Sequence, residues 1–248
     1  MDPRPWLHAW DPDAPRRLIC FSPAGRGSSD FQRWRPLLSG GVDVLPVVLP
    51  GRERRLSEAP VTTWSELLDP LADRLAELVE SSDTVLYGHS MGAWVAYEVL
   101  RRFVSMGVEL PFHLVVGARR APQTVGRSPP IAGLDDAGFV DSVQERYGAI
   151  PDAIRSDREL LSLFLPAMRA DFALMEGYVH EPGPPLPVPI TALCGRDDRL
   201  VPVDTVEPWG ELTSCTFRIQ TVSGGHFFLA DAAEEVARIV AELFRREP

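Results

Sequence analysis

Short apolar runs alternate with amphipathic stretches over the first half of the chain. Arg17-Leu18-Ile19-Cys20-Phe21 is one such run. Val42 to Leu49, Thr84-Val85-Leu86-Tyr87 and Phe112 to Gly117 are others. Each is strand-length and bounded by turn residues, which predicts strands buried on both faces. Between them lie helical patterns. Thr63-Trp64-Ser65-Glu66 reads as a capping box, and Leu67, Leu68, Leu71, Leu75 and Leu78 follow at helical spacing. Pro70 predicts a kink in that helix, or a restart after Asp69. Ala93 to Arg102 predicts a second amphipathic helix.

The alternation stops at about residue 122. Residues 122–187 hold no convincing strand pattern, only helical ones over Ala137 to Arg146 and Glu159 to Tyr178. Pro122, Pro129 and Pro130 precede these helices, and Pro182, Pro184, Pro185, Pro187 and Pro189 follow. This predicts a helical lid inserted on proline-stiffened hinges, against the plainer reading of ordinary crossover helices. Strands resume at Ile190 to Cys194 and Cys215 to Val222. A last helix is expected over about Asp231 to Arg246, with Val236, Ile239, Val240, Leu243 and Phe244 inward. Strands alternating with helices predict an α/β fold with a mostly parallel central sheet covered on both faces. Residues 1–121 and 188–248 would form its core, and 122–187 the insertion.

Composition narrows the class. The chain has 248 residues, 45% of them hydrophobic, enough for one large core. A net charge of −10 argues against a nucleic-acid partner, which requires a basic footprint. All 25 basic residues are arginine, and asparagine is absent, so no N-glycosylation acceptor exists. Coding bias accounts for the missing lysine. The three cysteines, Cys20, Cys194 and Cys215, suit a reducing compartment, and Cys20 and Cys194 lie within apolar strand-like runs that would bury them as small apolar residues. Met1-Asp2-Pro3-Arg4 does not resemble a signal peptide, and no stretch approaches a membrane span. A cytoplasmic monomer with no membrane partner is expected.

Gly88-His89-Ser90-Met91-Gly92 sits between a predicted strand and a predicted helix. It reads G-x-S-x-G, the elbow that presents a nucleophilic serine on a sharp turn. Five histidines are present: His8, His89, His113, His180 and His226. His226 follows Gly224-Gly225 at the end of a strand, where a loop can carry its ring to the cleft as the base. His89 is expected to pack at the turn. Asp197 and Asp198 both follow the strand ending at Cys194, so either can be the acid, with Asp171 an outside candidate. The order serine, aspartate, histidine at the carboxyl ends of strands is that of the α/β-hydrolase fold. An oxyanion hole needs two N–H donors. Met91 should give one. Ser22-Pro23-Ala24-Gly25 should give the other, through Ala24 because proline has no N–H. No H-E-x-x-H, paired C-x-x-C or EF-hand spacing suggests a metal.

With these landmarks the chain resembles the type II thioesterases, the stand-alone editing hydrolases of polyketide and nonribosomal peptide assembly lines. The resemblance covers nearly the whole length. It rests on Phe21-Ser22-Pro23-Ala24-Gly25, on Pro50-Gly51-Arg52-Glu53-Arg54-Arg55 and on Gly88 to Gly92. It continues through Gly117-Ala118-Arg119-Arg120-Ala121-Pro122, Leu165-Pro166 and Arg169-Ala170-Asp171-Phe172. Gly195-x-x-Asp198 and Gly224-Gly225-His226-Phe227-Phe228-Leu229 complete it. Two positions depart: Arg26 follows Gly25 where a second glycine is common, and Phe172 stands where tyrosine is common. The resemblance selects Asp198 over Asp197. It implies hydrolysis of acyl groups from phosphopantetheine thioesters on carrier proteins, through an acyl-Ser90 intermediate and without a cofactor of the enzyme's own. Arg119 and Arg120 are candidate contacts to the acidic carrier or to pantetheine, as are Arg52, Arg54 and Arg55. A chain-terminating thioesterase and a small-ester carboxylesterase are the alternatives within the fold. An inactive binding module is a remote third.

Overall fold

In a computed structural model, residues 6–245 are described apart from 8, 9, 39, 81, 125, 127 and 128. The N-terminal Met1–Arg4 segment, His8 and the expected helix end at Arg246 lie outside the described residues. Six strands form one sheet: β1 (Arg16–Phe21), β2 (Val42–Pro46), β3 (Asp83–His89), β4 (His113–Gly117), β5 (Ile190–Gly195) and β6 (Phe217–Val222). Their order is β2-β1-β3-β4-β5-β6, and every neighbouring pair is parallel. The helices are α1 (Ser29–Gln32), α2 (Trp34–Leu37), α3 (Trp64–Glu80), α4 (Met91–Met106), α5 (Asp136–Tyr147), α6 (Asp152–Arg155), α7 (Arg158–Glu176), α8 (Phe228–Asp231) and α9 (Ala233–Leu243).

The continuous apolar strands are explained by burial on both faces. Ile19, Phe21, Leu86, Leu114 and Val116 join one core with α3 and α4. The alternate residues Leu18, Cys20, Val85, Tyr87 and Val115 join a second core with Phe31, Trp34 and α9. Because every neighbouring pair is parallel, all six carboxyl ends lie on one edge of the sheet, and the loops there carry the candidate site.

Several boundaries differ from the sequence pattern. β2 ends at Pro46, and Val47 beyond it still donates its N–H to the Cys20 carbonyl of β1 at 2.8 Å while forming an isolated antiparallel bridge with Leu7. β6 starts at Phe217, since the Cys215 N–H is turned onto Thr213 Oγ1 at 2.9 Å. α3 runs unbroken through Pro70. Pro70 and Glu66 are both exposed, so the Glu66 carbonyl left without the proline N–H is on the solvent side, while the leucine face is buried. The last helix is divided at Ala232, which leaves the helical region and lets Phe228 and Leu229 on α8 turn into the core. Between β4 and β5, the described residues hold α5, α6 and α7 with a small apolar cluster of their own. Ile131, Phe139, Val143, Ile150, Met168 and Phe172 form it.

Candidate active site

Ser90 is the last residue before α4 and has φ 51° and ψ −116°. Such a conformation costs a non-glycine residue on the order of 1–3 kcal/mol, so its surroundings must impose it. Its N–H donates to the Gly117 carbonyl at 2.8 Å, and its own carbonyl accepts from the Ala93 N–H at 3.0 Å. The flanking glycines permit the turn. A Cβ on Gly88 would strike the Gly92 carbonyl, and one on Gly92 would strike the Phe21 carbonyl. The elbow thus packs backbone against backbone on the end of β1.

The loops after β5 and β6 supply the next two groups. The Asp197 N–H donates to the Gly224 carbonyl at 3.0 Å and joins the loops. Asp197 itself is exposed, whereas Asp198 is buried. His226 Nδ1 lies 3.0 Å from Asp198 Oδ2, and His226 Nε2 lies 3.1 Å from Ser90 Oγ. A carboxylate only accepts, so Nδ1 carries the proton and Nε2 accepts from the serine hydroxyl. Asp198 Oδ1 accepts from the Leu200 and Val201 N–H groups at 2.8 and 3.1 Å. Burial pushes the Asp198 carboxyl up, but the His226 hydrogen bond, the His226 charge and these two N–H groups outweigh it and hold the carboxyl below the usual range. The arrangement can take a proton from Ser90 Oγ and stabilise the resulting imidazolium.

His89 also belongs to the site. Its Nε2 donates to the His226 carbonyl at 2.7 Å, and its Nδ1 accepts from the Tyr87 hydroxyl at 3.2 Å. Burial, followed by the nearby His226 charge, lowers its pKa to about 3. A neutral imidazole therefore fixes the backbone of the base loop. Phe228 packs edge-on to the same ring at 4.7 Å. The sequence placed His89 at the turn but gave no sign of its partner, 137 residues away.

Ala24 and Met91 both lie at the end of β1 and the start of α4. Met91 is the first residue of its helix, so its N–H has no intrahelical acceptor. The Gly25 N–H is occupied, donating to Asp171 Oδ2 at 2.7 Å. Among the described residues, the Ala24 N–H makes no such bond. Asp171 is thus engaged away from His226, in a bidentate pair with Arg52 at 2.6 and 2.8 Å.

The arginines divide into two groups. Arg52 is held by Asp171, and Arg55 by Glu58 at 2.6 Å, by the Val48 carbonyl and by the Trp6 ring. These two are buried and are not free cations for a carrier. Arg119 and Arg120 leave the end of β4. The Arg119 guanidinium lies 3.4 Å over the Trp94 ring, which stacks on Tyr178. Among the described residues its buried Nε has no hydrogen-bond partner. Arg120 Nη2 donates to the Leu200 carbonyl at 3.4 Å, beside the Asp198 loop. Arg26 stacks on Phe227, next to His226, and pairs with Asp30. No cluster of His, Cys, Asp and Glu among the described residues is arranged to hold a metal ion. No described helix is long and apolar enough to cross a membrane.

Comparison with known proteins places these features in context. A family model described as "Thioesterase domain" matches residues 16–244. The gramicidin S biosynthesis protein GrsT of Aneurinibacillus migulanus is 32% identical over 92% of this chain and 89% of its own length. The RedJ thioesterase of the prodiginine pathway in Streptomyces coelicolor superposes with a TM-score of 0.85 at 35% identity, over 94% of this chain and 92% of its own. BorB, a type II thioesterase from the borrelidin cluster, superposes with a TM-score of 0.83 at 33% identity, over 97% and 96%.

Proposed function

The chain belongs to the thioesterase family, and from that membership we propose that it removes acyl groups from phosphopantetheine thioesters on acyl or peptidyl carrier proteins. Its role would be to clear stalled or misprimed assembly lines, a reading supported by its likeness to RedJ of the prodiginine biosynthetic pathway and to BorB, a type II thioesterase of the borrelidin biosynthetic cluster. The observation that carries the reading is the relay of Ser90, His226 and Asp198, with contacts of 3.1 and 3.0 Å at the carboxyl edge of the sheet.

Ser90 Oγ attacks the thioester carbonyl while its proton passes to His226 Nε2. The N–H groups of Met91 and Ala24 stabilise the oxyanion. The C–S bond then breaks, and His226 returns the proton to the pantetheine thiolate. Water, deprotonated by His226, attacks acyl-Ser90; the C–Oγ bond breaks, the acid is released, and His226 returns the proton to Ser90 Oγ. Asp198 holds the imidazole tautomer and balances its charge throughout. The segment 122–187 acts as a lid over the acyl chain, and Arg119 and Arg120 meet the carrier or the pantetheine arm. Phosphopantetheine enters as part of the substrate, and no cofactor of the enzyme's own is used.

The test is a panel of carrier proteins loaded with acyl groups from acetyl to long-chain, run beside p-nitrophenyl esters. The proposal expects faster turnover of carrier thioesters, and a loss of about 10⁴-fold or more in Ser90→Ala. Preferential turnover of the free esters would instead make the protein a carboxylesterase.

A further inference from the structure

The loop that offers the Ala24 N–H is not self-supporting. Its Gly25 has φ +71°, and the peptide N–H of that residue is fixed by the side chain of Asp171 on α7. Met168, three residues earlier on the same helix, packs on Gly25 so closely that a Cβ there would lie 2.9 Å from Met168 Cγ. From the other side, the turn at Pro50–Arg55 grips the loop. Arg52 Nη1 donates to the Arg26 carbonyl at 2.9 Å, and Glu53 accepts from the N–H and hydroxyl of Ser28. Arg52 then closes the circuit with its two bonds to Asp171. Asp171 is 1% exposed and Arg52 8%.

The charge in this circuit matters. Asp171 Oδ2 is one peptide unit from the proposed oxyanion donor, roughly 6 Å from where the oxyanion would form. An unbalanced carboxylate there would oppose that charge and slow the reaction by about 100-fold at an effective dielectric of about 20. Arg52 is the bidentate partner that balances it.

We propose that Asp171 and Arg52 form a charge-balanced clamp through which helix α7 sets the oxyanion loop. They are positioning residues, acting on substrate only through the Ala24–Gly25 backbone. The proposal rests on Ser90 as the acyl-accepting nucleophile, but not on the identity of the acyl carrier. It also makes the hole competent only while α7 is seated, which couples occupancy of the helical segment to chemistry.

The test is a double-mutant cycle on hydrolysis of p-nitrophenyl acetate, whose acyl group is too small to depend on an acyl chamber. Ser90→Ala is the control for the underlying reading: if it retains activity, that reading fails whatever the cycle gives. Arg52→Gln leaves Asp171 unbalanced and is expected to lower kcat by about 100-fold with KM changed less than about threefold. Adding Asp171→Asn to Arg52→Gln should recover at least about tenfold of that loss. Arg52→Lys, which keeps the charge, should stay within about tenfold of wild type. Wild-type kcat in Arg52→Gln, or a double variant worse than either single one, would overturn the clamp. Should Arg52→Gln fail to fold, Asp171→Asn alone decides. Affinity for an aryl boronic acid, a mimic of the tetrahedral intermediate, should fall about tenfold while KM holds. Unchanged boronate affinity would refute the proposal.

Discussion

His89 stays neutral at physiological pH because protonation would place a charge in a fully buried site beside His226 and Arg26, which the neighbouring Asp198 does not offset. The consequence for stability has a definite sign. The unfolded histidine titrates near 6.5 and the folded one at about 3, so the unfolded chain binds the extra proton between them. Stability from this residue is complete above pH 6.5 and is lost as pH falls toward 3. Between pH 6 and 4.5 the loss amounts to about 2 kcal/mol. Urea denaturation across that window should give a steep slope for the wild type and a flatter one for His89→Gln. Equal slopes would contradict the assignment. Asp198 adds to the loss only at lower pH. Its folded pKa lies below the ordinary value, so its contribution is present above that value and disappears as pH falls through the folded one. The residues of the proposed triad could be picked from the sequence because each follows an apolar strand, with a glycine at most three positions before it. The choice between Asp197 and Asp198 needed a family resemblance. Burial separates them, and burial of one residue in a two-residue polar loop leaves no local pattern.

Elements were legible where one apolar face decided them, and less so where the loops meet. The leucine face of α3 outweighed Pro70, and the helix continues without a restart through the proline, which sits on the solvent side. Arg17 opens a strand in the sequence, yet its buried side chain bonds the Leu78 carbonyl at 2.9 Å in the last turn of α3, where a cation complements the helix dipole. That pairing joins positions 61 apart and is invisible to periodicity. The same holds for Asp171 and Arg52, 119 residues apart. One prediction belongs to this scale. Gly25→Ala places a Cβ at φ +71° and against Met168, so it should both strain the loop and displace α7. The melting temperature should drop by a few degrees, for about 1–2 kcal/mol. Esterase kcat should fall with it. Gly25→Ala with Met168→Ala should restore little kcat, because the backbone strain remains. Full recovery in the double variant would mean that crowding alone matters.

The molecule as a whole joins a thick parallel sheet to a thinner helical segment. The sheet and its two apolar cores account for the scaffold, and alternation of strands with helices announced that part in advance. The segment between β4 and β5 was legible as helical and proline-bracketed. Its seating was not, because the ties join residues far apart in the chain, both apolar, as where Tyr178 stacks on Trp94, and polar. Trp64 Nε1 donates to the Leu174 carbonyl at 2.8 Å, Tyr178 donates to Glu98 at 2.7 Å, and Asp171 meets Arg52. A separate small core with such ties should open at lower free energy than the sheet. Hydrogen exchange is expected to be faster over α5 to α7 than over β1, β3 and β4, and faster still in Asp171→Asn. Equal protection of the segment and the sheet would contradict a cover that opens on its own.

The central claim is that Ser90 takes the acyl group from a carrier-bound thioester. Intact-protein mass spectrometry on reactions quenched during turnover of an acyl-loaded carrier tests it most directly. The account predicts an adduct of the acyl mass on the enzyme, mapped to Ser90 and absent from Ser90→Ala, with the carrier returned bearing a free pantetheine thiol. Hydrolysis by Ser90→Ala at the wild-type rate, with no adduct on the wild type, would contradict it.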